Sequence, residues 1–258
     1  MSVVTALGKI VGSLIFGLFL IGLIFVSAIA QFTAYDNLQP TFVNLISTSM
    51  PINESQFPQM KAMLAQQCQQ PGVTTINLGT LGNGGVNMTL TCSDIASATS
   101  AAQLARLAAT GLFESIYYKN YTCEFISCMS TLPEQERMVV MSSAHANAFF
   151  NQAIMWCIGG IILGLVLLIA AIRKPFGISK AVGIEMLVSG AVAYVGINMI
   201  KGTISTGMPS EVIGVMNNLF GILQNNFVIV LVIGVVLAVV GFVGARFVKP
   251  KKPAKKKK

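Results

Sequence analysis

The chain has 258 residues, 54% of them hydrophobic and only 10% charged, with a mean hydropathy of +0.72. About a quarter of the residues of a soluble domain are charged, so this composition excludes an ordinary soluble globule and points to a membrane protein. The net charge of +8 is unevenly spread. Residues 32–150 hold seven acids (Asp36, Glu54, Asp94, Glu114, Glu124, Glu134, Glu136) against four bases (Lys61, Arg106, Lys119, Arg137), a net of −3.

Four apolar runs stand out: Ile10–Ala30, Ala153–Ile172, Ala181–Ile200 and Phe227–Ala245. Each is close to the roughly 20 residues that cross about 30 Å of hydrocarbon. Lys9, then Arg173, Lys174 and Lys180, then Arg246 and seven tail lysines all fall at one set of span ends, and only Lys201 falls at the other. By the positive-inside rule both termini are expected in the cytoplasm. The sequence therefore predicts a membrane α-helical protein: a four-helix transmembrane base with an α+β, disulfide-bonded extracytoplasmic domain inserted between helices 1 and 2. The expected layout is a cytoplasmic N-terminus at 1–9, spans at 10–31, 151–172, 181–200 and 227–245, and the domain at 32–150. A cytoplasmic turn at 173–180, an outer connection at 201–226 and a cytoplasmic polybasic tail at 246–258 complete it.

Ser27-Ala28-Ile29-Ala30 before Gln31 has the small residues of a signal-peptidase site. The apolar run of the first span is longer than a signal core, and Gly8, Gly12 and Gly17 with Ser13 suit close helix packing, so retention of this span is expected. Asp36-Asn37-Leu38-Gln39 has capping-box spacing ahead of a helix at about 41–48, and a second short helix is expected at about 58–67. A β-hairpin follows over about 73–92, with Gly82-Asn83-Gly84-Gly85 as its turn. Strict alternation puts Val86, Met88, Leu90 and Cys92 on one face and Asn87, Thr89 and Thr91 on the other.

Asp94 reads as the cap of an Ala-rich helix over about 95–118, which ends in Tyr117, Tyr118 and Tyr121, a cluster expected to pack within the core. Thr131-Leu132-Pro133-Glu134 again has capping-box spacing, and no proline or glycine then occurs until Gly159. One unbroken helix is therefore expected from Pro133 through 150 into the second span, ending near Ile172, with Trp156 at the outer interface. In the outer connection, Pro209-Ser210-Glu211 is a helix start and Val212, Met216, Leu219 and Leu223 form an apolar stripe. This is either an amphipathic helix at the outer surface or an extension of the fourth span. The polar Gln224-Asn225-Asn226 favours a break, and a re-entrant pore helix is the functional alternative.

Cys68, Cys92, Cys123 and Cys128 are the aqueous cysteines, and Cys157 lies within a span. Four cysteines allow three pairings. Cys68 and Cys92 flank the hairpin and Cys123 lies near Cys128, so the favoured pairing is Cys68–Cys92 with Cys123–Cys128, in a structural role. Without a Cys-X-X-Cys, a membrane thiol oxidase is a minor alternative. Asn53, Asn87 and Asn120 open Asn-X-Ser/Thr sequons, which makes them candidate glycosylation sites. Glu185, the only acid within a span, is expected to pair with Lys180 or to form an ion or proton site with Ser189 beside it. His145 is the only histidine, so no metal set is expected, and neither cofactor nor catalytic constellation is found.

The polybasic tail is expected to meet anionic lipid headgroups, and nucleic-acid binding is disfavoured because no aromatic reader accompanies the lysines. Gly160-xxx-Gly164 and Gly241-xxx-Ala245 suit helix packing or self-association. The layout is similar to that of claudin-like four-span proteins, but the tryptophan-and-cysteine signature of their first loop is missing. The expected function is non-enzymatic: recognition or assembly by the outer domain, with an extracytoplasmic protein or glycan partner, in a homo-oligomer. The alternative is a channel or transporter subunit built around the third span and the outer amphipathic helix.

Overall fold

The computed structural model describes residues 3–49, 53–81, 86–172, 174–204 and 210–247. Along the chain it forms α1 (Val3–Phe32), α2 (Tyr35–Ser49), α3 (Phe57–Cys68), β1 (Thr75–Leu81), β2 (Val86–Thr91), α4 (Cys92–Ser97), α5 (Ala101–Tyr117), α6 (Phe125–Thr131), α7 (Glu134–Met141), α8 (Ala144–Ile172), α9 (Pro175–Ile204) and α10 (Ser210–Phe247). Two compact units result, Ile29–Phe150 and Met1–Ala28 with Asn151–Lys258.

Among the described residues, four helices are long and apolar enough to cross a membrane, over Ala6–Phe32, Ala144–Ile172, Pro175–Gly202 and Met216–Phe247. In the second unit their shared core includes Phe16 and Leu20 of α1, Leu168 of α8, Met186 and Ile197 of α9, and Phe227 of α10. Glycines set the closest approaches, because backbone atoms occupy the place of a side chain. A Cβ on Gly12 would lie 3.1 Å from the Leu168 backbone nitrogen, and one on Gly164 would lie 2.7 Å from that of Phe16. Gly183 and Gly241 bring α9 and α10 together in the same way, against Ala238 and Lys180. Such small-residue contacts let backbones touch where lipid offers no hydrophobic drive to associate.

The expected break at Gln224-Asn225-Asn226 does not occur, nor does a re-entrant helix, because α10 runs unbroken from Ser210 to Phe247. Two of the three polar side chains find partners without leaving the helix. Gln224 donates to Asn198 Oδ1 of α9 at 3.3 Å, and Asn226 donates to Ser27 Oγ of α1 at 3.3 Å. Polar side chains that find partners on neighbouring helices give the backbone no reason to unwind. Pro209 and the tail from 248 onward lie outside the described residues, and so does the hairpin turn Gly82-Asn83-Gly84-Gly85.

The unit Ile29–Phe150 is built around α5. Its buried side chains, among them Leu104, Ala108, Leu112 and Ile116, recur every three to four residues and form one helical face. That face receives the antiparallel pair β1–β2, in register from Thr75 opposite Thr91 to Leu81 opposite Val86, with an irregularity between Asn77 and Gly79. Leu90 is 1% exposed, so the expected inward face of β2 holds at this position. Gly111 makes the contact close, since the Thr89 carbonyl lies where a Cβ would be.

Three expectations about this unit need correction. The Ala-rich helix is split into α4 and α5 at Ala98–Ser100. Thr91, rather than Asp94, caps α4, and Asp94 is the reciprocal member of its capping box. Ser100 then caps α5 by accepting from the Gln103 N–H at 3.2 Å, while Lys61 Nζ donates to the freed carbonyls of Ala96 and Ala98 at 3.0 and 2.6 Å. Second, α2 begins at Tyr35 and takes Pro40 inside it, so Asp36 lies in the first turn of the helix.

The third correction concerns the 40-residue helix. Thr131 ends α6 and caps nothing, Pro133 precedes α7, and α7 stops at Met141 before α8 starts at Ala144. Two serines suffice. The Ser142 N–H closes α7 onto Met138 and Val139 carbonyls, and buried Ser143 donates its hydroxyl to Val140 O at 2.6 Å while accepting from the Ala146 N–H at 3.4 Å. A serine that bonds its local backbone competes with helix continuation, and this one serves as the cap of the next helix.

Candidate functional site

Two disulfides staple the unit Ile29–Phe150. Cys68–Cys92 joins the end of α3 to the start of α4 across the foot of the hairpin, with Cα atoms 5.7 Å apart. Cys123–Cys128 closes the approach to α6, with Cα atoms 5.4 Å apart, and Cys128 is fully buried. Phe125, between the two sulfurs in sequence, stacks on Phe149 at 4.6 Å. Cys157, on α8, is free.

An aromatic cluster binds α2 to α5. Tyr35 lies 5.3–5.8 Å from the rings of Phe113, Tyr117 and Tyr118, and Phe42 packs on Phe113 at 5.2 Å. Tyr117 is buried and donates its hydroxyl to Thr33 O at 3.2 Å, so this ring is core. Tyr35 donates to Glu114 Oε1 at 3.1 Å; burial first, and then that carboxylate, push its phenol up to about 12. Burial also raises Tyr117 and Tyr121, the latter with help from Glu136. The Tyr121 hydroxyl and His145 Nε2 are both buried without a hydrogen-bond partner among the described residues, their rings 6.0 Å apart.

Above this core, α2 and the first turns of α5 enclose an open groove of about 440 Å³, lined by Asn44, Ser47, Thr48, Ser100, Ala102, Gln103 and Arg106. Arg106 reaches across it and donates to Asn44 Oδ1 at 3.3 Å. Among the described residues it is the only ionisable side chain in the lining, which makes the groove polar and singly positive. Sequence reasoning passed over these residues, reading α2 and α5 for their apolar stripes. The signal was the complementary stripe: Asn44, Ser47 and Thr48 at i, i+3 and i+4 on α2, facing Gln103 and Arg106 at i and i+3 on α5.

The other predicted residues are dispersed. Glu185 and Lys180 do not pair: five residues on a helix put them about 140° apart. Lys180 Nζ lies 4.0 Å above the Phe242 ring, and the Glu185 carboxylate accepts the hydroxyl of Ser13 on α1. Gly17 leaves room for that carboxylate and for the hydroxyl of buried Ser189, so the only acid within a span sits inside helix packing with two serines. Asn53 and Asn120 are exposed, and Asn53 Oδ1 accepts from Ser55 N–H at 3.1 Å. The side chain of Asn87 lies outside the described residues. Among the described residues, no three of His, Cys, Asp and Glu converge to hold a metal ion.

Comparison with known proteins brings no match: no family model fits the chain, and no curated protein and no solved structure is similar to it.

Proposed function

We propose that this is a non-enzymatic integral protein of the cell membrane, with both termini in the cytoplasm, whose extracytoplasmic domain Ile29–Phe150 recognises a partner. One observation carries the reading. Between two apolar helices the chain inserts a unit with its own core and two disulfides, and that unit presents a polar groove. Disulfides persist in oxidising, extracytoplasmic surroundings, and the positive-inside rule independently orients the domain outward. Exposed Asn53 and Asn120 are then available for glycans, and the polybasic tail lies against the anionic inner leaflet.

Self-association belongs to the same reading, but not through the glycines used inside the chain. Gly160 and Gly164 are taken by Phe19 and Phe16, and Gly241 by Lys180. Gly159, Gly196 and Gly221 have no atom of the described residues within 4 Å of a Cβ and are among the small residues left for a second copy. The competing reading, a channel or transporter subunit around the third span, draws support from Glu185 with Ser13 and Ser189. Transport paths usually carry several such groups.

The test is protease added to intact cells that express the chain with a C-terminal tag. The tag should survive while Ile29–Phe150 is cut or shielded by glycan; digestion of the tag from outside sinks the reading.

A further inference from the structure

The geometry points to a carboxylated sugar as the ligand of the α2–α5 groove, a proposal that rests on the reading of Ile29–Phe150 as a recognition domain. The groove's volume of about 440 Å³ is in the range of small-molecule sites, and a few fixed polar groups converge on it. Its two walls differ in hydrogen-bonding sense. On α5, Arg106 uses one guanidinium N–H on Asn44 at a long 3.3 Å and keeps the rest of its fork for a ligand. A guanidinium fork matches a carboxylate with two parallel bonds. Gln103 is held by its carbonyl oxygen, which accepts from Thr99 N–H at 2.9 Å and from the Thr99 hydroxyl at 2.8 Å, and this leaves its NH₂ as a second donor.

On α2 two of the three polar side chains reverse the sense, while Asn44, whose Oδ1 holds Arg106, adds its NH₂ as a donor. The Ser47 and Thr48 hydroxyls donate their protons to the Asn44 carbonyl, at 3.3 and 2.8 Å, so toward the groove their oxygens only accept. The complement is one molecule with a negative planar acceptor at one end and hydroxyl donors at the other. A simple carboxylate or phosphate leaves the α2 oxygens unmatched, and a neutral sugar leaves Arg106 unmatched. A uronic acid satisfies both. Glu54 does not line the groove; its carboxylate accepts from Ala101 N–H at 3.3 Å.

The test titrates the purified full chain, in detergent micelles, with D-glucuronate, D-glucose and acetate, by saturation-transfer NMR. Glucuronate should bind with a Kd on the order of 1 mM, and glucose and acetate at least about tenfold more weakly. Arg106→Gln should weaken glucuronate about 10- to 100-fold. Thr48→Trp, which fills the groove from an exposed position and keeps the charge, should do the same and decides the matter if Arg106→Gln proves misfolded. Three results each overturn the assignment: no glucuronate binding to the folded chain, binding unchanged in the groove variants, or acetate binding as tightly as glucuronate. The recognition reading fails separately, by digestion of the tag from outside, a result on which binding in detergent has no bearing.

Discussion

Three glycines on α8 separate helix propensity from packing. Replacing any of them by alanine brings the same intrinsic helix gain, about 1 kcal/mol in water. What differs is the space. A Cβ on Gly159 meets nothing within 4 Å. The three atoms nearest one on Gly160 belong to the Phe19 ring, a side chain rather than backbone. One on Gly164 meets the backbone of α1, at 2.7 Å from Phe16 N and 2.9 Å from its Cα. Relaxed contacts lie at about 3.5–4.0 Å, so α1 and α8 must part by about 1 Å around Phe16 and Leu168, which are 4% and 2% exposed. Overpacking of this kind costs about 1–3 kcal/mol. Since the propensity gain cancels, Gly164→Ala should be less stable than Gly159→Ala by about that amount, with Gly160→Ala between them. Reversible unfolding in mixed micelles, followed through Trp156, the only tryptophan, measures the order. Equal midpoints for the Gly159 and Gly164 variants would refute a backbone contact between α1 and α8.

The disulfides should differ in worth. The sequence separations are 24 and 5, for which chain entropy gives about 3.5 kcal/mol for Cys68–Cys92 and about 2 kcal/mol for Cys123–Cys128. Paired Cys→Ser replacements in the full chain, compared by thermal unfolding, test this, and a larger loss at Cys123/Cys128 contradicts it. The phenols predict an alkaline limit. Tyr35 is raised to about 12 from an ordinary value of 10.0, so the folded state keeps a proton that the unfolded chain loses first. Its contribution is complete below pH ~10 and is lost as the pH rises through about 12. Phenolate absorbance should lag in the folded chain, and Tyr35→Phe should reduce the alkaline loss of stability. A Tyr35 phenol that titrates near pH ~10 in the still-folded chain, read as the difference from Tyr35→Phe, would rule this out.

The sequence alone determined the elements whose signal is local or repeated over a long window. Four apolar runs became four long apolar helices, because solvent preference is set by composition over about 20 residues. The alternation before Cys92 became β2, and the face that carries Leu90 turned inward. Where the reading went astray, a helix boundary turned on a single side-chain hydrogen bond. Ser100 caps α5, and Ser143 bonds back to Val140 of α7 while capping α8, yet either serine would be tolerated inside a helix, and nothing nearby in sequence distinguishes the outcomes.

Tertiary structure made the remaining choices. Asn226 and Gln224, inside α10, find their partners in Ser27, 199 positions away, and in Asn198. Glu185 faces Ser13, 172 residues distant, and not its neighbour Lys180. The groove needs Asn44 and Arg106, 62 residues apart, on facing helices. Hydrogen bonds and close approaches act over about 3–4 Å, whereas sequence patterns report only periodicity along one element. A polar group's partner is therefore decided by which helices pack together, and that is settled by glycines and core side chains far from it in the chain.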